Sequence, residues 1–169
     1  HESVDFDWLD KAFDVMARTP QHTYQILTKR PEIMRKYIDD GSRRHRIGGN
    51  EGWMTSDGFH PWPLPNVWLG VSAEDQKTAD ERIPLLLQTP AAVRWVSYEP
   101  ALGPVDLNEG WRYGSCKGCG YTGYIDTDTP AGTVQCACCV RHLRDNTYSK
   151  LDWIVVGGES GPGARPFDI

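Results

Sequence analysis

Asn66-Val-Trp-Leu-Gly-Val-Ser72 is a continuous apolar run that ends on a polar residue. An unbroken run of this kind suits a strand buried on both faces, as in a parallel sheet covered by helices. Three further stretches have the same character: Tyr24-Gln-Ile-Leu-Thr28, Val93-Arg-Trp-Val-Ser-Tyr98 and Asp152-Trp-Ile-Val-Val-Gly-Gly158. Helical spacing fills most of the intervals. Phe6, Leu9, Phe13 and Met16 predict a first helix closed by Thr19-Pro20, since the residue before proline is pushed out of the α region. Pro31 suits a first helical position, and Ile33, Met34, Tyr37 and Ile38 give an apolar stripe that Gly41 ends. Thr78 and Glu81 match a capping box, and Ile83, Leu86 and Leu87 continue a third helix to Thr89-Pro90, with Pro84 kinking it or delaying its start.

The predicted order is α, β, α, β, α, β, an insert, then β. The expected fold class is α/β: a partial (βα)-barrel, or an open parallel sheet covered by helices, with an inserted zinc ribbon. Residues 1–107 form the first α/β segment with a long loop at 41–65, residues 108–150 the insert, and residues 151–169 the return to the sheet. Without the loop and the insert, 101 residues remain, against about 250 for a complete eightfold barrel. Two outer strands would then expose unpaired edges. The expected partners are further N- and C-terminal parts of the same protein, or a second copy, covering those edges. His1 in place of methionine points the same way, to residues upstream.

The 18 basic and 23 acidic side chains give a net charge of −5, which disfavours binding nucleic acid through bulk charge. One local exception is Arg43-Arg44-His45-Arg46, followed by Trp53, Phe59, His60 and Trp62. Basic residues interleaved with aromatics suit single-stranded nucleic acid, and a solvated helix end beside a loop-packing aromatic cluster explains them equally well. No apolar run approaches the roughly 18–20 residues that span a bilayer, and no signal-peptide pattern opens the chain, so a cytoplasmic protein without membrane partners is expected.

All five cysteines lie between Cys116 and Cys139. Cys116, Cys119, Cys136 and Cys139 read C-x2-C-x16-C-x2-C, the spacing of a zinc ribbon, whose two knuckles bring four thiolates around Zn²⁺ at about 2.3 Å. Tyr121–Asp128 and Gly132–Gln135 are placed to supply a hairpin between the knuckles. Cys138 and His142 are alternative ligands. A closed four-thiolate site is structural, so the zinc is expected to fold the insert and do no chemistry.

Parallel α/β folds bind ligands at the carboxyl ends of their strands. Those ends here carry Thr28-Lys29-Arg30, Ser72-Ala73-Glu74-Asp75, Ser97-Tyr98-Glu99-Pro100 and Gly157-Gly158-Glu159-Ser160. Lys29, Glu74, Glu99 and Glu159 are the candidate catalytic residues, either a clamp for a cationic or polyhydroxyl ligand or an acid/base set. Thr28, Ser72, Gly157, Gly158, Ser160 and Arg165 are the candidate cofactor-binding residues. A structural ring of salt bridges is the competing reading.

Four blocks carry a family resemblance: Thr19–Pro31, Asn66–Ser72, Glu99-Pro-Ala-Leu-Gly-Pro-Val-Asp106, and Trp153-Ile-Val-Val-Gly-Gly-Glu-Ser-Gly-Pro-Gly-Ala-Arg-Pro166. In that order they resemble a phage- and prophage-associated family of uncharacterised proteins whose members are similar to radical S-adenosylmethionine enzymes. The resemblance implies a (βα)-barrel in the cytoplasm of a bacterial host, S-adenosylmethionine, and a [4Fe–4S] cluster held by three cysteines near the N-terminus. That motif is absent from residues 1–169, whose cysteines have ribbon spacing. The chain is therefore expected to be an internal piece of such a protein, inactive alone, with its substrate open. A non-catalytic module presenting the ribbon and the basic aromatic loop to nucleic acid is the alternative.

Overall fold

The computed structural model describes residues 5–47, 58, 61–107, 111 and 150–164, together with the backbone of 124–126 and 133–135. Helix α1 (Phe6–Arg18) starts at Asp5, whose carboxylate accepts the Asp7 N–H and so satisfies one of the helix's orphan donors. At its other end the Asn66 side-chain amide donates to the carbonyls of Met16, Thr19 and His22. One residue beside the second strand thus ties down the end of the first helix. Strand β1 (Tyr24–Thr28) follows, then α2 (Pro31–Ile38), opened by proline at its first position, and a short 3-10 helix over Gly41–His45.

Strand β2 (Val67–Ser72) leads into α3 (Gln76–Gln88), and β3 (Val93–Tyr98) follows. Helix α3 starts at Gln76, two residues before Thr78. Asp75 is its N-cap and Thr78 its third residue, and these two close the capping box that the sequence suggested for Thr78 and Glu81. Pro84 lies inside this helix without ending it.

The four long strands, completed by β6 (Trp153–Val156), form one sheet in the order β1-β2-β3-β6, with every neighbouring pair parallel. Each strand lies beside its predecessor in the chain, as the alternating pattern required. Within the insert, β4 (Tyr124–Asp126) and β5 (Thr133–Gln135) pair as an antiparallel hairpin. It falls inside the interval between Cys119 and Cys136, where a hairpin was expected. The five cysteines, His142 and Arg165 lie outside the described residues.

The core lies between the sheet and the helices. Val67, Leu69 and Val71 of β2 and Val96 of β3 meet Phe13, Tyr37, Ile38, Ile83 and Leu86 from the helices, all 4% exposed or less. The alternate residues point to the other face, and register aligns them in rows. Leu27, Gly70, Trp95 and Trp153 make one row, and Ser72, Ser97 and Val155 the next row towards the carboxyl ends. Trp95 lies over Gly70, where an added Cβ would come within 2.5–2.7 Å of the indole. Trp153 reaches two tryptophans of the neighbouring strands, with ring centroids 5.7 Å from Trp95 and 6.0 Å from Trp68.

Two residues of the basic aromatic loop belong to the core side. Arg43 is 5% exposed, its guanidinium 4.3 Å from the Tyr37 ring and 4.8 Å from the Phe6 ring. Its Nη1 donates to Asp10 Oδ1 at 2.7 Å. Trp62 packs on Phe13 and Tyr37 and donates its indole N–H to the Ile38 carbonyl. For these two the packing explanation is the one realised: a buried, paired arginine is not available to a phosphate. Trp53, Phe59 and His60 lie outside the described residues.

Candidate functional site

The parallel register brings the polar ends of β1, β2, β3 and β6 to one edge of the sheet, and there they divide into two groups. At the β1–β2 end, Glu74 is held from two sides. Lys29 Nζ lies 2.5 Å from Glu74 Oε1, and Arg82 Nη1 lies 3.0 Å from Oε2. Arg82 also donates to the Ser72 carbonyl at 2.8 Å, and the Glu74 backbone N–H donates to Thr78 Oγ1. Burial alone would push the Glu74 carboxyl up; Lys29 and Arg82 together outweigh it and hold the group below the ordinary value of 4.5. Glu74 is thus an ion-paired carboxylate, held by Lys29 and Arg82. Arg82 escaped sequence reasoning, although its place one helical turn after Thr78, on a helix leaving β2, marks the face that looks back at the strand end.

Thr28 and Ser72 belong to this half. Thr28 Oγ1 accepts the Arg30 N–H at 3.0 Å, which shapes the turn into α2, and Ser72 is 5% exposed.

The β3–β6 end is arranged differently. An open cavity of about 530 Å³ is lined by Glu99, Pro100, Gly158, Glu159 and Ser160 on one side and by Pro162, Gly163 and Ala164 of the following turn. Buried Ser97 donates its hydroxyl to Glu99 Oε2 at 3.2 Å. The Glu99 carboxylate lies against Gly157, and a Cβ added there would collide with it. Gly157 therefore makes room for the glutamate of the neighbouring strand end. The chain after Glu99 is pinned on both sides: Ala101 N–H donates to the Gly157 carbonyl, and Leu102 N–H to the Glu74 carbonyl. The wall beyond Ser160 turns through Gly161 at φ +99° and Gly163 at φ +83°, which favour glycine.

Of the ten candidate residues, Glu99, Glu159, Gly158 and Ser160 line this one cavity, with Gly157 beside it. Lys29, Glu74, Thr28 and Ser72 stand on the ion-paired side, and Arg165 lies outside the described residues. Among the described residues no three His, Cys, Asp or Glu side chains are grouped to hold a metal ion. The cavity offers two carboxylates, a hydroxyl and backbone groups, which suits a ligand carrying positive charge and hydrogen-bonding groups. No helix among the described residues is long and apolar enough to cross a membrane.

The family model described as "Protein of unknown function (DUF5131)" matches residues 1–169. The chain belongs to the DUF5131 family. No curated protein and no solved structure matches it.

Proposed function

We propose that the cavity between the ends of β3 and β6 binds a small cationic, hydroxyl-bearing ligand, and that this ligand is S-adenosylmethionine. The observation that carries the reading is the placement of Glu99 and Glu159 around one 530 Å³ cavity at the carboxyl ends of parallel strands. S-adenosylmethionine presents a sulfonium, an ammonium and a ribose diol, the groups that carboxylates recognise. Glu99, oriented by Ser97, and Glu159 supply the negative charge. Gly158 and Ser160 supply backbone and hydroxyl contacts, and Arg165 is assigned to the ligand's carboxylate. Lys29 and Glu74 brace the neighbouring strand ends.

The larger setting we propose is part of a phage-associated, radical-S-adenosylmethionine-like (βα)-barrel. The sequential, all-parallel strand order supports it, as do the rows of side chains on the face away from the helices. The iron–sulfur cluster does not fit these residues. The cysteines have the spacing of a ribbon and not that of a cluster motif. Bound S-adenosylmethionine would supply the reactive group; the chain's residues bind and orient it. Anaerobic reconstitution of the full-length protein with iron and sulfide, followed by assay of S-adenosylmethionine cleavage, tests the reaction class. Iron uptake with cleavage is expected, and neither would occur if the radical reading is wrong.

For the insert we propose a structural zinc held by Cys116, Cys119, Cys136 and Cys139, with Cys138 or His142 as substitute ligands. The hairpin β4–β5 between the two knuckles supports this. Elemental analysis is expected to find about one zinc per chain, and chelation to unfold the insert. A metal-free protein with an ordered insert would refute it.

A further inference from the structure

At the other edge of the sheet, between α1, β1 and α2, the core is incompletely filled. A cavity of about 200 Å³ lies there, its floor made by buried Phe13, Met34, Tyr37, Ile38 and Leu69. Its remaining walls include half-buried Leu9, Ile26, Thr28, Arg30 and Ile33, which place the mouth at the carboxyl end of β1. The polar groups of the lining are engaged: the Tyr37 hydroxyl donates to Asp10 Oδ1 at 2.9 Å, Thr28 Oγ1 accepts the Arg30 N–H, and Arg30, at the mouth, has a partner of its own. A water molecule needs two to four polar partners to be held, and the floor of this cavity is mainly apolar. Apolar cavities of about 150 Å³ stay dry and accept benzene.

We propose that this cavity is a binding site for a compact apolar ligand, about the size of one aromatic ring. It shares no lining residue with the Glu99–Glu159 cavity, so it stands or falls independently of the proposed function. Selectivity follows from the walls. Leucine, isoleucine, methionine and phenylalanine side chains gain contact with any group that fills the space, and a charged or strongly hydrated ligand would lose its water without replacement.

The test is a titration of the protein, labelled with ¹³C at its methionine methyls, with benzene and with indole. The Met34 methyl resonance is expected to shift saturably, while that of Met16, which does not line the cavity, stays in place. Filling the space with Ile26→Phe is expected to weaken binding by about tenfold or more. Enlarging it with Met34→Ala is expected to admit naphthalene, read as a ligand-dependent rise in Tm. No saturable shift at Met34 would overturn the proposal. So would equal affinity in a folded Ile26→Phe protein, or, should that variant fail to fold, no naphthalene response in Met34→Ala.

Discussion

The carboxylate of Glu99 occupies the space beside Gly157 that any larger residue's Cβ would need. This contact joins the ends of β3 and β6 and sets where one wall of the acidic cavity stands. Gly157→Ala must displace Glu99 or shift the strand end. The expected cost is about 1–3 kcal/mol in stability, with roughly tenfold weaker binding of a cationic ligand. Thermal unfolding and calorimetric titration of the same variant separate the two effects.

Trp95 and Gly70 have the same relationship deeper in the sheet. The indole lies where a Gly70 side chain would be, with ring atoms 2.5–2.7 Å from an ideal Cβ. A buried indole packed against Trp153 on the sheet face cannot retreat as a flexible chain end can. Gly70→Ala is expected to destabilise by about 1–3 kcal/mol, and Gly70→Val by more. Chemical denaturation measures both.

Glu74 makes the fold sensitive to acid. Its carboxyl is held below 4.5, so the folded state binds the proton less tightly than the unfolded chain. The resulting stability is complete above that ordinary value and is lost as pH falls through it towards the folded value. Arg82→Met removes the better-buried partner and is expected to cost about 1–3 kcal/mol near neutral pH, a difference that shrinks in acid. Lys29, whose side chain is 63% exposed, contributes less: Lys29→Met is expected to cost under about 1 kcal/mol. Denaturation curves across pH for the two variants check the order.

Arg43 is the most deeply committed charge at the helix side. Arg43→Ala would leave Asp10 without its closest cation, at an expected cost of about 3–5 kcal/mol. Arg43→Lys keeps the charge but loses the planar contact with Tyr37 and Phe6, and recovers only part of that loss. Thermal unfolding of the pair distinguishes charge from stacking.

The strands and most helix ends were legible because their signals are local: the apolar run of β2, Pro31 at the start of α2, Thr19-Pro20 after α1. Thr78 was recognisable as a capping residue, but its partner is Asp75 on the N-terminal side, and a threonine that fits two capping boxes needs geometry to choose between them. Non-local pairing was not legible. Nothing local tells that Lys29 joins Glu74, while Glu99 and Glu159 line the cavity, since these strand-end residues differ little in their neighbours. Arg43 reads as solvent-facing in a run of basic residues, and its burial depends on Asp10, 33 positions away. The apolar cavity is a property of packing, invisible in periodicity.

In the proposed function, Glu99 and Glu159 recognise positive charge in the strand-end cavity. Calorimetric titration of the protein, and of its Glu99→Gln and Glu159→Gln variants, with S-adenosylmethionine tests it most directly. The neutral-sulfur analogue S-adenosylhomocysteine serves as control. Saturable binding that weakens roughly tenfold to a hundredfold in either variant, and that prefers the sulfonium, is the predicted result. No binding, or binding indifferent to both substitutions, would contradict it.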